Sequence, residues 1–349
     1  MIDSAICLCY NSGVWFIKLN AYTNNKNGVL CYMNNLFKQA ALVKTVALTI
    51  VSAVLCTGCT RIPPSELDTP DPTSVVSVSE NPTATLTDAP AMTDVPVETQ
   101  TPVVTYEPIT IQLEKDGLPA RNTMPLDLNG ISERECEAWF ADAVFVGDSV
   151  MIGWRSYNYL EQESNEDFFG QTRFLCSGSY GAGHALDPVS DKSLHPEYLG
   201  EQHLIEDSLS MIGAKKAFIC FGLNDLTIYG VDGTLSNFRE VISRIRQKNP
   251  DIEIYIISTM YMYKGSERDV LNNKNILALN HGLAALCQEL GMEFVNIASH
   301  LIDEQGFVPD EYSSDKYVHQ TNAAYSVWAD VLRAVASRHI AGMPAPLFK

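Results

Sequence analysis

The sequence predicts an α/β domain of three layers: a central, mainly parallel five-stranded sheet with helices on both faces. Five short apolar runs rich in β-branched and aromatic residues lie at 143–146, 172–176, 216–221, 252–258 and 293–297. Stretches of helical periodicity separate them, which calls for crossover connections and a sheet covered on both sides. Turn-forming and chemically active residues also follow directly on these runs, where open parallel sheets bind their ligands.

The first run passes into Gly147-Asp148-Ser149, and Met151, Ile152, Trp154, Tyr157 and Leu160 then recur at helical spacing over 149–161. Ser149 thus sits where a strand hands over to a helix, facing free N–H groups and the positive end of the helix dipole. Two roles suit it there, a nucleophile or an N-cap. The second run is followed by the glycine-rich stretch from Ser177 to His184, which has neither dinucleotide nor P-loop spacing. A helix at 204–212 leads to the third run, which ends in Gly222-Leu223-Asn224-Asp225. Helices at 234–248 and 267–290 flank the fourth run, and the last helix, 321–339, has Thr321 as its expected cap. Ahead of that helix stands Ser314-Asp315-Lys316-Tyr317-Val318-His319. A carboxylate held there accepts the imidazole Nδ1–H and leaves Nε2 free as a base. His300, followed by Asp303, is a rival base.

The flanking chain has a different character. Residues 45–58 are uncharged and apolar and follow Lys38 and Lys44, the pattern of a secretory signal; a membrane span needs roughly 20 apolar residues. The run closes in Leu55-Cys56-Thr57-Gly58-Cys59, which resembles the lipobox of bacterial lipoproteins, with Cys56 where leucine is usual. That resemblance implies lipid attachment at Cys59 and a membrane-anchored protein on the bacterial cell surface. Met33 opens a signal of ordinary length, so the start lies at Met1 or Met33. From residue 60 to about 120 the chain holds ten of its 17 prolines, many threonines and an acidic excess. Such composition buries too little apolar surface to offset ordering and reads as a tether. The expected organisation is 1–59 extension and signal, 60–122 tether, and 123–349 folded α/β domain.

The formal net charge is −18, and no basic patch interleaved with aromatics occurs, which argues against a nucleic-acid partner. Cys136, Cys176, Cys220 and Cys287 show no metal-ligand spacing, so neither a zinc site nor a disulfide framework is expected.

Taken together, Gly147-Asp148-Ser149, Gly222-Leu223-Asn224-Asp225 and Asp315 with His319 resemble, in order and interval, the blocks of the SGNH hydrolase superfamily, the GDSL-type esterases and lipases. The resemblance covers roughly 140–340 and implies a flavodoxin-like sheet. It also implies Ser149 as nucleophile, His319 as base and Asp315 as its orienting partner. An oxyanion hole would follow from the Ser149 N–H, the Asn224 amide and a block glycine, Gly178 or Gly181, with Gly178 nearer the strand end. The family commonly places two residues between Asp and His, whereas three stand between Asp315 and His319, which leaves Asp310 as a fallback. Asp148, Tyr180 and His184 are substrate-binding candidates, and Trp154 lines the site or belongs to the core. The expected activity is hydrolysis of acyl esters, short-chain or acetyl, on carbohydrate or small substrates, with neither metal nor organic cofactor. Acyl transfer through the same acyl-enzyme, a non-catalytic glycan-binding module and a solute-binding lipoprotein are the competing readings.

Overall fold

The computed structural model describes residues 106–349, together with an antiparallel strand pair, Ile6–Asn11 with Val14–Leu19. The expected signal, Cys59 and the tether up to residue 105 lie outside the described residues. The unit Thr101–Lys349 carries the α/β domain.

Its sheet has five strands: β1 (Ala143–Gly147), β2 (Arg173–Cys176), β3 (Lys216–Cys220), β4 (Glu253–Ile257) and β5 (Glu293–Val295). All neighbours are parallel, in the order β5-β4-β3-β1-β2. β1 and β3 are buried along their whole length, as their apolar sequences require, with Lys216 at the start of β3 paired to Asp142. A row of rings fixes the register. Phe174, Phe145, Phe218 and Tyr255 are partnered across β2, β1, β3 and β4, with successive centroids 5.8, 4.9 and 4.4 Å apart. Slipping one strand by one residue would turn its ring to the opposite face.

The helices are α1 (Glu133–Ala138), α2 (Ser149–Gln162), α3 (Ala182–Ala185), α4 (Ile205–Ile212), α5 (Leu223–Lys248), α6 (Asn273–Leu290) and α7 (Asn322–Ile340). α1 and α2 pack on α7, while α3, α4 and α6 pack on α5. Thr321 caps α7, its hydroxyl accepting from the Ala324 N–H. The sequence expectation missed α1, opened by a Ser132/Glu135 capping box, and about the first three turns of α5. Gly230, with φ of 62°, breaks α5 into two pieces, so periodicity is readable only beyond the kink.

The expected boundary at residue 122 is corrected. Thr110–Ile111 pairs in parallel with Leu347–Phe348, and Glu114–Lys115 forms a hairpin with Leu118–Pro119. Leu113 is fully buried between them, and its N–H donates to the Lys349 carbonyl at 2.7 Å. The pairing partner lies at the far end of the chain, so local composition could not reveal that this Pro- and Thr-containing stretch is ordered.

In this strand order the chain leaves β1 for β2 at one edge and returns to β3 on the other side of β1. The connections after β1 and β3 therefore diverge, opening a crevice at their carboxyl ends. Ser149 begins the helix after β1, and Asn224 stands in the first turn after β3.

Candidate active site

The Gly147-Asp148-Ser149 turn is tight because β1 and β3 approach closely. A Cβ on Gly147 would meet the Cys220 carbonyl at 2.9 Å and the Met151 Cβ at 2.6 Å. Asp148 rather than Ser149 caps α2, its Oδ1 accepting from the Val150 N–H at 2.9 Å. The Ser149 hydroxyl is thus not used as a cap. It lies 2.9 Å from His319 Nε2. His319 Nδ1 lies 2.6 Å from Asp315 Oδ2, and this bond assigns the proton to Nδ1, so Nε2 accepts from the serine.

The three residues between Asp315 and His319 are accommodated by a turn. Asp315 Oδ1 accepts from the N–H groups of Tyr317 at 2.8 Å and His319 at 3.2 Å, and Lys316 takes a left-handed φ of 55°. The loop is pinned where the Tyr263 N–H donates to the Tyr317 carbonyl at 3.0 Å. Burial pushes the Asp315 carboxyl up, but the bonds from His319 and from the two backbone donors hold it below the ordinary value. Asp310 is occupied elsewhere, accepting from the Tyr263 hydroxyl at 2.9 Å and pairing with Lys316 at 3.5 Å. His300 is also remote from the serine. Its Nε2 meets the Asn122 amide at 3.0 Å, and burial lowers its pKa to about 4.

Asn224 reaches back into the same crevice. Its Nδ2 donates to Asp148 Oδ2 at 3.0 Å and to the Tyr180 carbonyl at 3.1 Å. The peptide after Tyr180 belongs to Gly181, which is buried and extended. A Cβ on Gly181 would lie 2.4 Å from Asp225 Oδ2. Gly178 is exposed with open space around its Cβ position. Asp225, fully buried, accepts from the N–H groups of Ala182 at 3.1 Å and Gly183 at 2.8 Å. Burial raises both carboxyls, and burial together with the nearby Asp225 brings Asp148 to about 6.

The substrate-binding expectations are corrected in part. Asp148 is 2% exposed and faces the protein. The Tyr180 ring is wholly buried, its hydroxyl 3.1 Å from His195 Nδ1 and its edge against Phe221, because the loop turns that side chain inward. Trp154 belongs to the core, stacked on Trp328 at 6.0 Å. His184 is half-buried in α3, and its Nδ1 has no hydrogen-bond partner among the described residues. Tyr229, which the sequence reading did not single out, is a partly exposed ring seated against Gly183 of the glycine-rich loop.

Solved structures similar to this chain include a GDSL-like lipase from Bacteroides thetaiotaomicron, with 14% identity, 56% of this chain and 88% of that chain covered and a TM-score of 0.43. Another is a catalytic mutant of an acetylxylan esterase from Geobacillus stearothermophilus, with 14% identity, 55% and 93% covered and a TM-score of 0.40. No curated protein matches the chain. The model of the GDSL-like lipase/acylhydrolase family matches residues 145–327, more than half of the chain and inclusive of Ser149, Asn224, Asp315 and His319. The chain belongs to the GDSL-like lipase/acylhydrolase family and is an ester-bond hydrolase.

Proposed function

We propose that the protein is a membrane-tethered, extracytoplasmic serine esterase that removes short acyl groups, acetyl foremost, from carbohydrate or small esters. The observation that carries the chemistry is the 2.9 Å contact of Ser149 Oγ with His319 Nε2, backed by Asp315. His319 takes the hydroxyl proton as Oγ attacks the ester carbonyl. The tetrahedral intermediate collapses, and the departing alcohol takes that proton from His319. Water, deprotonated by the same nitrogen, then releases the carboxylic acid and restores the serine.

Negative charge developing on the carbonyl oxygen faces the Ser149 N–H, which as the first residue of α2 has no intrahelical acceptor. The second backbone donor is Gly181, in preference to Gly178, because Gly181 is buried in the crevice against Asp225, the neighbour of Asn224, whereas Gly178 is exposed. In the resting site both Asn224 amide protons are engaged. The one resting on the neutral Tyr180 carbonyl is the one an oxyanion, a stronger acceptor, draws away.

A bulky alcohol part is supported by the openness of the pair, with the side chains of His319 and Asp315 44% and 36% exposed. Tethering is supported by the lipobox-like Leu55-to-Cys59 segment and the Pro- and Thr-rich stretch after it.

Intact-mass analysis after treatment with a fluorophosphonate tests the mechanism. One adduct on the full chain that is absent from Ser149→Ala supports it; an unlabelled, folded wild type refutes it. For the anchor, a lipid-sized mass on membrane-extracted protein must disappear in Cys59→Ser.

A further inference from the structure

The three oxyanion donors of the proposed site come from three separate connections, those after β1, β2 and β3, and nothing in the sheet itself sets their spacing. Two buried carboxylates tie them together. Asp148 precedes Ser149 in the chain and grips Asn224 with Oδ2, while its Oδ1 holds the Val150 N–H. Asp225 follows Asn224 and grips the glycine-rich loop, one oxygen on the Ala182 N–H and the other on the Gly183 N–H, directly after Gly181. Each carboxylate is therefore covalently next to one donor and hydrogen-bonded to the element that supplies another. The order is Ser149, Asp148, Asn224, Asp225, Gly181.

We propose that Asp148 and Asp225 are positioning residues for ester hydrolysis, lacing the Ser149, Asn224 and Gly181 donors into one oxyanion site; this rests on the catalytic reading above. Helix capping alone does not account for them. A cap needs one acceptor oxygen, which asparagine also supplies. At Asp148 it is the second oxygen that reaches across to Asn224, and at Asp225 both oxygens reach across to the glycine-rich loop. Two carboxylates buried close enough to oppose each other's ionisation are a costly way to build two turns, and the fit of Asp225 against Gly181 leaves no room for a Cβ there.

Asp148→Asn tests the proposal, because it keeps the oxygen that caps α2 and sets an NH2 group against the Asn224 amide. The expected result is a fall in kcat of about 100-fold, comparable to losing one oxyanion donor, with KM within about threefold and the circular-dichroism spectrum of the wild type. A double-mutant cycle separates positioning from general support of the fold. In an Asn224→Ala background, Asp148→Asn should cost less than about twofold, since its partner is already gone. An equal loss in both backgrounds, or an unchanged kcat in the single variant, overturns the proposal. Asp225→Asn, measured as a single variant because its partners are the Ala182 and Gly183 N–H groups, gives an independent reading should Asp148→Asn fail to fold: a comparable fall in kcat at nearly constant KM is expected, and an unchanged kcat overturns its role. Fluorophosphonate labelling of wild-type Ser149 keeps the outcomes apart. A labelled serine with an unaffected Asp148→Asn enzyme refutes the lacing alone, whereas an unlabelled wild type refutes the catalytic reading beneath it.

Discussion

The imidazole of His319 stands 2.9 Å from the hydroxyl of Ser149 although 170 positions separate them in the chain. Two different parts of the fold produce this contact. Ser149 is fixed by the β1-to-α2 turn, and His319 by a loop closed on Asp315 and stapled to Tyr263.

Asp315 acts by holding the imidazole tautomer, so Asp315→Asn should reduce kcat by roughly 100-fold or more and leave KM nearly unchanged. A fully buried partner would matter more; here the carboxylate is partly solvated, which places the effect at the lower end of the range for such groups. Asp310→Asn, by contrast, should alter kcat by less than about twofold, since that residue serves Tyr263 and Lys316. Steady-state kinetics on one aryl ester decide both, and a reversed ranking would move the orienting role to Asp310.

Alanine at the two loop glycines should separate them sharply. A methyl at Gly181 would enter the Asp225 carboxylate, forcing the loop or that carboxylate to move, and kcat is expected to fall at least about 100-fold. A methyl at Gly178 meets nothing within 4 Å, so Gly178→Ala should retain wild-type kcat within about twofold. Comparable losses in the two variants would refute the assignment of Gly181.

Tyr229 presents a partly exposed ring beside the glycine-rich loop, where the alcohol part of the proposed substrate would be met. Removing it in Tyr229→Ala should raise KM for an acetylated oligosaccharide by about 3- to 10-fold, with a smaller change for a small aryl ester, and Tyr229→Phe should restore most of the difference. An equal change on both substrates would show that the ring does not contact the alcohol part.

The five sheet strands and the chemical residues after them were legible because a buried parallel strand is apolar throughout and ends abruptly. Ser149 and Asn224 therefore stood out against their surroundings, whereas Asp315 and His319, which lie in a loop ahead of the last helix, were picked out by their mutual spacing and the family resemblance. The choice between Gly178 and Gly181 was not legible, because it depends on Asp225 arriving from another connection. Nor was the direction of Tyr180: a loop aromatic can face solvent or core, and His195 and Phe221 draw this one inward. The 106–122 segment misled because its order comes from pairing with the C-terminal residues, not from its own composition.

Two buried groups should act on stability with opposite sign over one pH range. Burial raises Asp148 from 3.8 to about 6 in the folded protein. Between these values the native state binds more protons than the unfolded chain, so this group lowers stability as pH rises through the window. Burial lowers His300 from 6.5 to about 4, so there the native state binds fewer protons, and this group raises stability as pH rises. Each effect amounts to about 3 kcal/mol when complete, and between about pH 4 and 6 the two largely offset each other. Urea unfolding of Asp148→Asn and His300→Gln beside the wild type separates them. Relative to wild type, Asp148→Asn should gain stability from pH 4 to pH 7, and His300→Gln should gain it from pH 7 to pH 4. A constant offset reflects the altered contacts of each variant; the slope with pH carries the test. Parallel curves for variant and wild type would mean that the group does not titrate in this window.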